Sequence, residues 1–279
     1  MRKLVTKSEA EKRLLAKTAK GKLAGYATDN PEQDKPECGA NWEDNRTIRA
    51  EVIRAICLGA VKGLSVDPRG ILIKGARITG KLDLSGVTIP FPLAFNACHF
   101  EEQIILSGAK IKDLTLDGSY LALGLLSYNL KVHGDVSLRD GFVAKGEVCL
   151  IRADIDGRLS CSRGRFEKGT DKYALNAGGL VVKGHVLLKD GFHAEGEVRL
   201  PGAEIGGRLI CTGGIFVNPA GSSDTPKGYA LNAIDLKVDG TVFLDKEFHA
   251  RGEVRLPGAK IGGQLDCTDG IFENPKSLF

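Results

Sequence analysis

Three glutamates at equivalent places in the chain are the strongest candidates for acid–base chemistry. Glu147, Glu197 and Glu253 each follow a glycine in segments that resemble one another. If these segments stack as rungs of a sheet, rungs two apart separate the carboxylates by about 10 Å, near the upper limit for the acid and base of an inverting glycosidase. A solvated sheet face with Arg199 and Arg255 as neighbours explains the same pattern, and we favour that interpretation.

Histidines and cysteines are the other candidates. His193 and His249 occupy equivalent positions, where the first copy has Val143. They could line a groove together, but histidines on an exposed turn are the simpler interpretation. The seven cysteines form neither a CxxC motif nor a Cys/His cluster with zinc spacing. Since no Ser-His-Asp order, P-loop or GxGxxG motif in a strand–helix context is present either, the sequence predicts no catalytic residue, no metal site and no cofactor.

These residues belong to a long internal repeat that must position them. Segments that begin at Gly146, Gly196 and Gly252 share the pattern Gly-Glu-Val-x-Leu, and their starts lie 50 and 56 residues apart. The additional residues fall in 218–223, where Asn, Pro, Gly and Ser indicate a surface loop. Each long repeat divides into four units, mostly of 11 or 12 residues, which are too short to contain a helix.

Each unit contains a short polar–apolar alternation, as in residues 197–200, that predicts a strand. Short strands at a small fixed period predict a solenoid. Two units per coil bring the long repeat back into register. We therefore predict an all-β solenoid, a right-handed parallel β-helix of about 22 residues per coil and about eight coils. At about 4.8 Å per coil the rod would be about 40 Å long.

Stacked coils predict columns of like residues. Two inward columns alternate large with small residues, which fills a narrow core. A third is an aromatic ladder, which we assign to core packing rather than to a stacking platform for bases or sugars. Ala174 and Ala230 are expected between the three glutamates, and the cysteines of the first column, two coils apart, are too distant for disulfides. The columns are Leu138, Cys161, Leu188, Cys211, Leu244 and Cys267; Leu150, Ala177, Leu200, Ala233 and Leu256; and Phe142, Phe166, Phe192, Phe216, Phe248 and Phe272.

The N-terminal residues do not follow the repeat. Ser8 and Glu11 form a capping-box pattern that predicts a helix over about 9–19. A spacing of four between apolar residues predicts a second, amphipathic helix over 46–58. Trp42 is expected to pack beneath this segment.

The division into two parts follows from the exposed ends of a β-helix. An open coil presents unpaired strands that could pair with another chain. We therefore predict that residues 1–66 form a small α-helical cap on the first coil and that residues 67–279 form the β-helix repeat domain.

Basic residues are concentrated at the N-terminus. Residues 1–23 contain eight Lys or Arg and two Glu, whereas the whole chain has a net charge of +4. Lys12, Arg13 and Lys17 lie on the predicted first helix and could bind nucleic acid or an anionic membrane surface. A solvated face on a cap helix is the interpretation that we favour.

Composition excludes several classes of protein. With 42% hydrophobic and 27% charged residues, the chain can bury a core and is not disordered. No apolar run approaches the roughly 18 residues of a membrane-spanning helix, and the N-terminal segment lacks the apolar region of a secretory signal. We expect a cytoplasmic protein without a transmembrane segment.

Two resemblances rest on these motifs. Apolar residues at steps of five and six, such as Leu106 and Ile111, resemble the pentapeptide-repeat right-handed β-helices. More closely, residues 44–52 and the Gly-Ala-x-Ile-x-Gly segments at 75–84 and 258–267 resemble a group of uncharacterised bacterial proteins, common in actinobacteria and often labelled membrane-associated oxidoreductases. That label brings no catalytic motif that maps onto a residue here. Longer members continue into a membrane-anchored part, which this resemblance implies is absent from the present chain.

Regular structure without a convergent polar site favours a non-enzymatic scaffold or protein-interaction module. The last coil has no evident cap, and Ser277, Leu278 and Phe279 end the chain on apolar residues, so we expect end-to-end homodimerisation or a protein partner there. One alternative is a β-helical enzyme, redox or carbohydrate-active, which would need clustered charged residues in a lateral groove. The other is nucleic-acid or anionic-membrane binding through the basic helix.

Overall fold

Strands dominate the chain, as the repeat predicts. The computed structural model describes residues 8–28, 30–219 and 228–274. It is a parallel β-solenoid of about eight coils with about 23 residues per coil, which confirms the predicted β-helix. Each complete coil contains four short strands, and these belong in turn to four parallel sheets that we name A, B, C and D.

The sheets run along the rod, and each adds one strand per coil. Sheet A contains Ala24–Gly25, Ile71–Lys74, Leu93–Asn96, Leu114–Thr115, Val136–Ser137, Leu159–Ser160, Val186–Leu187, Leu209–Ile210, Val242–Phe243 and Leu265–Asp266. Sheet B contains Thr47–Arg49, Arg77–Thr79, His99–Phe100, Tyr120–Leu121, Val143–Ala144, Arg165–Glu167, His193–Glu195, Ile215–Val217, His249–Arg251 and Ile271–Glu273. Sheet C contains Leu82–Asp83, Ile104–Ile105, Leu125–Leu126, Val148–Cys149, Tyr173–Asn176, Glu197–Arg199, Tyr229–Asn232 and Glu253–Arg255. Sheet D contains Thr88–Ile89, Lys110–Ile111, Lys131–Val132, Asp154–Ile155, Val181–Val182, Glu204–Ile205, Lys237–Val238 and Lys260–Ile261.

Helices are confined to the N-terminal segment among the described residues. They are helix α1 (Glu9–Thr18), two 3-10 helices (Pro36–Asn41 and Asp44–Arg46) and helix α2 (Ala50–Cys57). The hydroxyl of Ser8 accepts a hydrogen bond from the Glu11 N–H at 3.2 Å and so caps α1. The first predicted helix is therefore confirmed.

The second predicted helix, over 46–58, is wrong in its first part. Thr47–Arg49 is a strand that pairs with Arg77–Thr79 at the start of sheet B, and the helix begins only at Ala50. Ile48 continues the buried column of that sheet, so sheet pairing outweighs the helical spacing of the apolar residues.

A buried ion pair attaches α1 to sheet B. Glu11 accepts hydrogen bonds from Arg49 Nε at 2.6 Å and from Arg49 Nη2 at 2.8 Å, and the glutamate is almost fully buried. Leu14 of α1 is buried in the same core. Trp42 lies buried in the N-terminal segment, where its Nε1 donates to the Gln33 carbonyl oxygen at 2.8 Å.

The two aliphatic columns of the core are confirmed. Backbone pairing of sheet A places Leu188 between Cys161 and Cys211, one coil from each. In the opposite wall, sheet C stacks Ala177 between Leu150 and Leu200 in the same way. These six side chains are fully buried. From Leu138 in sheet A and Leu150 in sheet C onward, large and small residues therefore alternate from coil to coil, with a period of two coils.

The aromatic ladder is also confirmed, but its register differs from the one expected. Successive rings from Phe142 to Phe272 lie 5.1–5.3 Å apart, centroid to centroid. Phe166 pairs within sheet B with Ala194, whereas Phe192 lies one residue before its strand and level with Gly164. The phenylalanines therefore come alternately from two positions, and Gly or Ala occupies the vacant position of each coil.

Glycines form a further column where the chain passes from sheet D to sheet A. The amide of Gly184 donates to the Gly157 carbonyl at 2.8 Å, and the amide of Gly207 donates to the Gly184 carbonyl at 2.9 Å. A Cβ atom on Gly184 would lie 2.6 Å from the Gly157 oxygen. Backbone approach at this corner therefore excludes any side chain.

Candidate functional site

The C-terminal coil exposes two residues, Leu265 and Phe272, whose positions are buried in the preceding coils, and beside them Ile271, which faces outward above His249. Leu265, Ile271 and Phe272 are 48%, 50% and 45% exposed, whereas Val242 and Phe248, which precede Leu265 and Phe272 in the same core, are buried. Among residues 8–28, 30–219 and 228–274, nothing covers the upper edges of these strands. Exposed apolar side chains beside unpaired strand edges are typical of an association surface.

Charged side chains border this end. Glu273 lies 3.3 Å from His249 Nε2 and 3.5 Å from Arg251 Nε, measured from its Oε2 atom. Arg255 Nε lies 3.4 Å from Glu253 Oε1. Lys260 is exposed and forms no ion pair with any described residue. The rim therefore offers both signs of charge at fixed positions.

The interaction residues predicted from the sequence lie at the two ends of the chain. Ser277, Leu278 and Phe279 lie outside the described residues. On α1, Lys12 Nζ pairs with Glu9 at 2.7 Å, and Arg13 donates to the Gly25 carbonyl at 3.0 Å while its guanidinium lies 5.3 Å from the centroid of a tyrosine ring. Contacts within the N-terminal segment therefore already engage Lys12 and Arg13. The side chain of Lys17 is half-buried.

Sheet C carries a lattice of polar side chains that the sequence predicted incorrectly. Tyr173 rather than Ala174 pairs with Glu197, because a bulge after Tyr173 shifts the register by one residue. The same bulge places Tyr229 opposite Glu253. Ala174 is buried instead. In these two coils more residues separate the strand of sheet B from the strand of sheet C (168–172 and 218–228), whereas a single glycine, Gly196 or Gly252, separates them in the coils with Glu197 and Glu253.

The glutamate in the middle of this lattice is not on a solvated face. Glu197 is 6% exposed, and its Oε1 accepts a hydrogen bond from Asn232 Nδ2 at 2.8 Å. Burial raises the pKa of Glu197 above its ordinary value, and the hydrogen bond from Asn232 and the charge of Arg199 partly oppose this. Burial raises the pKa of Glu147 in the same way. The expectation of a solvated column is therefore wrong for Glu197.

Asn176 and Asn232 are the polar residues that sequence reasoning missed. Both close the repeated Tyr-Ala-Leu-Asn strand, so the repeat itself contained the signal. Two buried apolar residues precede each asparagine. The strand therefore lacks a simple polar–apolar alternation that would indicate that the asparagine points outward. Asn176 Oδ1 accepts a hydrogen bond from Arg199 Nη1 at 3.4 Å.

The two histidines lie in strands of sheet B rather than on turns. His193 pairs with Ile215, which pairs in turn with His249. His193 lies 3.7 Å from Glu195 through its Nε2 and lines a lateral groove of about 490 Å³ together with Glu167 and Asn218. Both carboxylates there are paired with cations: Arg165 lies 2.8 Å from Glu167 and 2.7 Å from Glu195, and Lys145 Nζ lies 2.7 Å from Glu167.

A second cavity lies in the N-terminal cap. Its volume is about 440 Å³, and its lining includes Trp42, Arg46 and Cys38. Arg46 stacks on the Trp42 ring at 3.7 Å and pairs with Asp34 at 2.7 Å. These contacts fix the guanidinium on the tryptophan face, so they hold the cap together.

Cysteine reactivity checks the column in which Leu188 separates two thiols. Cys161 and Cys211 are fully buried, and burial raises the pKa of both thiols. Only the thiolate is nucleophilic, so in dilute native protein a thiol reagent should label Cys38 and Cys267, which are exposed, and leave the others. Mass spectrometry of labelled peptides measures this. Labelling of Cys161 before unfolding would contradict the column.

No group of three His, Cys, Asp or Glu side chains among the described residues could hold a metal ion. No helix within the described ranges is long and apolar enough to cross a membrane.

The architecture defines a parallel β-solenoid. No family model matches the chain, and no curated protein or solved structure shows significant similarity to it.

Proposed function

We propose that this protein is a non-enzymatic interaction module that associates end to end through its C-terminal coil. The observation that carries the proposal is the exposure of Leu265, Ile271 and Phe272 at that end. The partner we propose is a second copy of the chain. A two-fold axis perpendicular to the rod pairs the same end of both copies and leaves no repeating contact that could continue into a fibre.

The order of the sheets decides how two copies meet. A two-fold axis that passes through sheets A and C brings sheet B of one copy onto sheet D of the other, with their edge strands antiparallel. If inward residues face inward residues, Phe272 lies opposite Ile261 of the second copy. Glu273 then lies opposite Lys260, which is exposed and outward-facing. Because of the two-fold symmetry, this pair of opposite charges occurs at two places in the interface.

The helical climb of the chain limits how much of the end can pair. The coil rises by one strand spacing per turn, and its last strands follow one another in the order C, D, A, B. The edge of sheet A therefore meets sheet A of the second copy at the same separation at which the two B–D contacts form. Sheet C stays about 4.8 Å further from its mate.

Charge substitutions test this register. We expect a dimer in concentration-dependent light scattering, and at least tenfold weaker dimerisation for Lys260→Glu, because it places two acidic residues opposite each other at two symmetric places. Adding Glu273→Lys to Lys260→Glu restores opposite charges and should recover association. Lys110→Glu is the matched control, since Lys110 is an exposed lysine in the same column of sheet D six coils below the end and should leave dimerisation unchanged.

The outcomes separate self-association from other uses of this end. A protein that remains monomeric throughout the micromolar range contradicts the proposal. A dimer that Lys260→Glu does not weaken refutes the B–D register. Slower labelling of Cys267 at higher protein concentration would give independent support, since this thiol lies in the inward column of the end coil.

The resemblances to two families of proteins are part of this proposal. Four sheets per coil and apolar residues that point inward in each sheet support the proposal that this chain is related to the pentapeptide-repeat β-helices. We likewise propose that it is related to the actinobacterial group.

All seven cysteines are free, which suits a reducing compartment such as the cytoplasm. Loss of solubility on oxidation of the purified protein would be consistent with that location.

A further inference from the structure

We propose that sheet C binds a neutral, extended polysaccharide whose chain runs along the rod axis. The proposal does not depend on end-to-end association and uses the side of the rod, although Arg255 also borders the C-terminal end. It rests on two like groups of side chains, which we name the lower cluster (Glu147, Tyr173, Asn176 and Arg199) and the upper cluster (Glu197, Tyr229, Asn232 and Arg255).

Each cluster presents an aromatic ring with planar polar groups around it. The Arg199 guanidinium lies 5.5 Å from the Tyr173 ring centroid, and the Arg255 guanidinium lies 4.7 Å from that of Tyr229. A carboxylate and a carboxamide complete each group. These side chains form fixed donors and acceptors that suit a ligand with many hydroxyl groups, and the ring supplies an apolar surface for the C–H face of a sugar.

Charge balance decides between neutral and charged polymers. Glu147, Glu197 and Glu253 lie among Arg199 and Arg255, and the exposed Asp171 lies beside the exposed Lys172. Positive and negative charges are interspersed, so the face has no basic stripe of the kind that holds a nucleic acid or a sulfated polymer. A neutral polymer meets no net repulsion here.

One buried atom in the upper cluster lacks a partner. Asn232 is 7% exposed, and its Oδ1 accepts no hydrogen bond in the described structure. In the lower cluster the equivalent oxygen of Asn176 accepts from Arg199. An unsatisfied buried acceptor is costly. A ligand hydroxyl that displaces Arg255 would supply the missing donor.

The spacing of the clusters points to an extended chain rather than to a single sugar. Asn176 and Asn232 are separated by one intervening residue of the same sheet column, Arg199. The two clusters therefore lie about 10 Å apart, which is twice the distance between strands. Two sugar rings of an extended β-linked chain span a similar length, so alternate rings would meet equivalent clusters.

Affinity gel electrophoresis tests this inference directly. The full chain is run in gels that contain hydroxyethylcellulose, galactomannan or xyloglucan, with heparin as the polyanionic probe. We expect retardation by at least one neutral polymer. The variant Tyr173→Ala/Tyr229→Ala should bind that polymer at least tenfold more weakly, because it removes both rings.

Arginine variants keep the test decisive if the tyrosine variant fails to fold. Arg199→Ala removes a half-buried side chain that touches both clusters, and it should weaken retardation. Arg158→Ala is the matched control, because Arg158 lies beside sheet A on the opposite side of the rod and pairs with Asp135. Circular dichroism confirms that each variant is folded.

Each result either supports or overturns the proposal. Retardation by a neutral polymer that depends on Arg199 but not on Arg158 supports it. Absence of retardation by all three neutral polymers overturns it. Retardation by heparin alone, or by a neutral polymer equally in all variants, also overturns it.

Discussion

Replacement of Phe192 by alanine should destabilise the protein by about 3–5 kcal/mol, the usual cost of removing a fully buried phenylalanine. Phe192 lies between the rings of Phe166 and Phe216, at centroid distances of 5.1 and 5.2 Å. The neighbouring positions at its level are glycines, which cannot fill the space. The cavity would therefore remain, and urea unfolding followed by circular dichroism should show a lower transition midpoint.

The matched control lies at the end of the same ladder. Phe272 contacts only Phe248 among the rings of the ladder and is 45% exposed. Phe272→Ala should cost only about 1 kcal/mol when measured in dilute protein, since about half of this side chain is already exposed to water. Equal losses at the two positions would show that the rings do not share one continuous core.

The second large effect should come from Gly184→Ala. The added Cβ would lie 2.6 Å from the Gly157 carbonyl oxygen, and the contact is with backbone that is hydrogen-bonded to Gly184 itself. The coils would have to separate locally, at a cost of about 1–3 kcal/mol. The melting temperature, followed by calorimetry, measures this loss.

Gly25→Ala is the control for that substitution. A Cβ atom on Gly25 meets nothing within 4 Å, and neither glycine has the positive φ that only glycine adopts easily. The two variants therefore differ in steric contact and not in backbone strain. A melting temperature for Gly184→Ala equal to that of Gly25→Ala would contradict the glycine column.

The sequence predicted the features that depend on counting residues around the coil. Leu188 lies between Cys161 and Cys211 because each coil returns the chain to the same wall, and the repeat lengths alone determine that placement. The alternation of Leu with Cys and of Leu with Ala follows from the same count. These columns could be predicted without any knowledge of where the turns lie.

Features that depend on local changes of backbone path could not be predicted. The bulge that places Tyr173 opposite Glu197 follows a longer loop in alternate coils, and a fixed unit length does not reveal it. Thr47–Arg49 has a helical apolar spacing, but a partner strand thirty residues later determines its structure. The burial of Glu197 depends on contacts with other coils, and no pattern within one unit indicates it.

The alternation of large and small core residues restricts how this molecule could change in size. From Leu138 onward, removing one coil would bring Leu against Leu in sheet A and would place two phenylalanines in the same column of consecutive coils. Removing two coils, or duplicating two, would restore every match. In this part of the rod, insertions and deletions that preserve the fold should therefore come in whole pairs of coils, so the heritable module there is the pair and not the single turn.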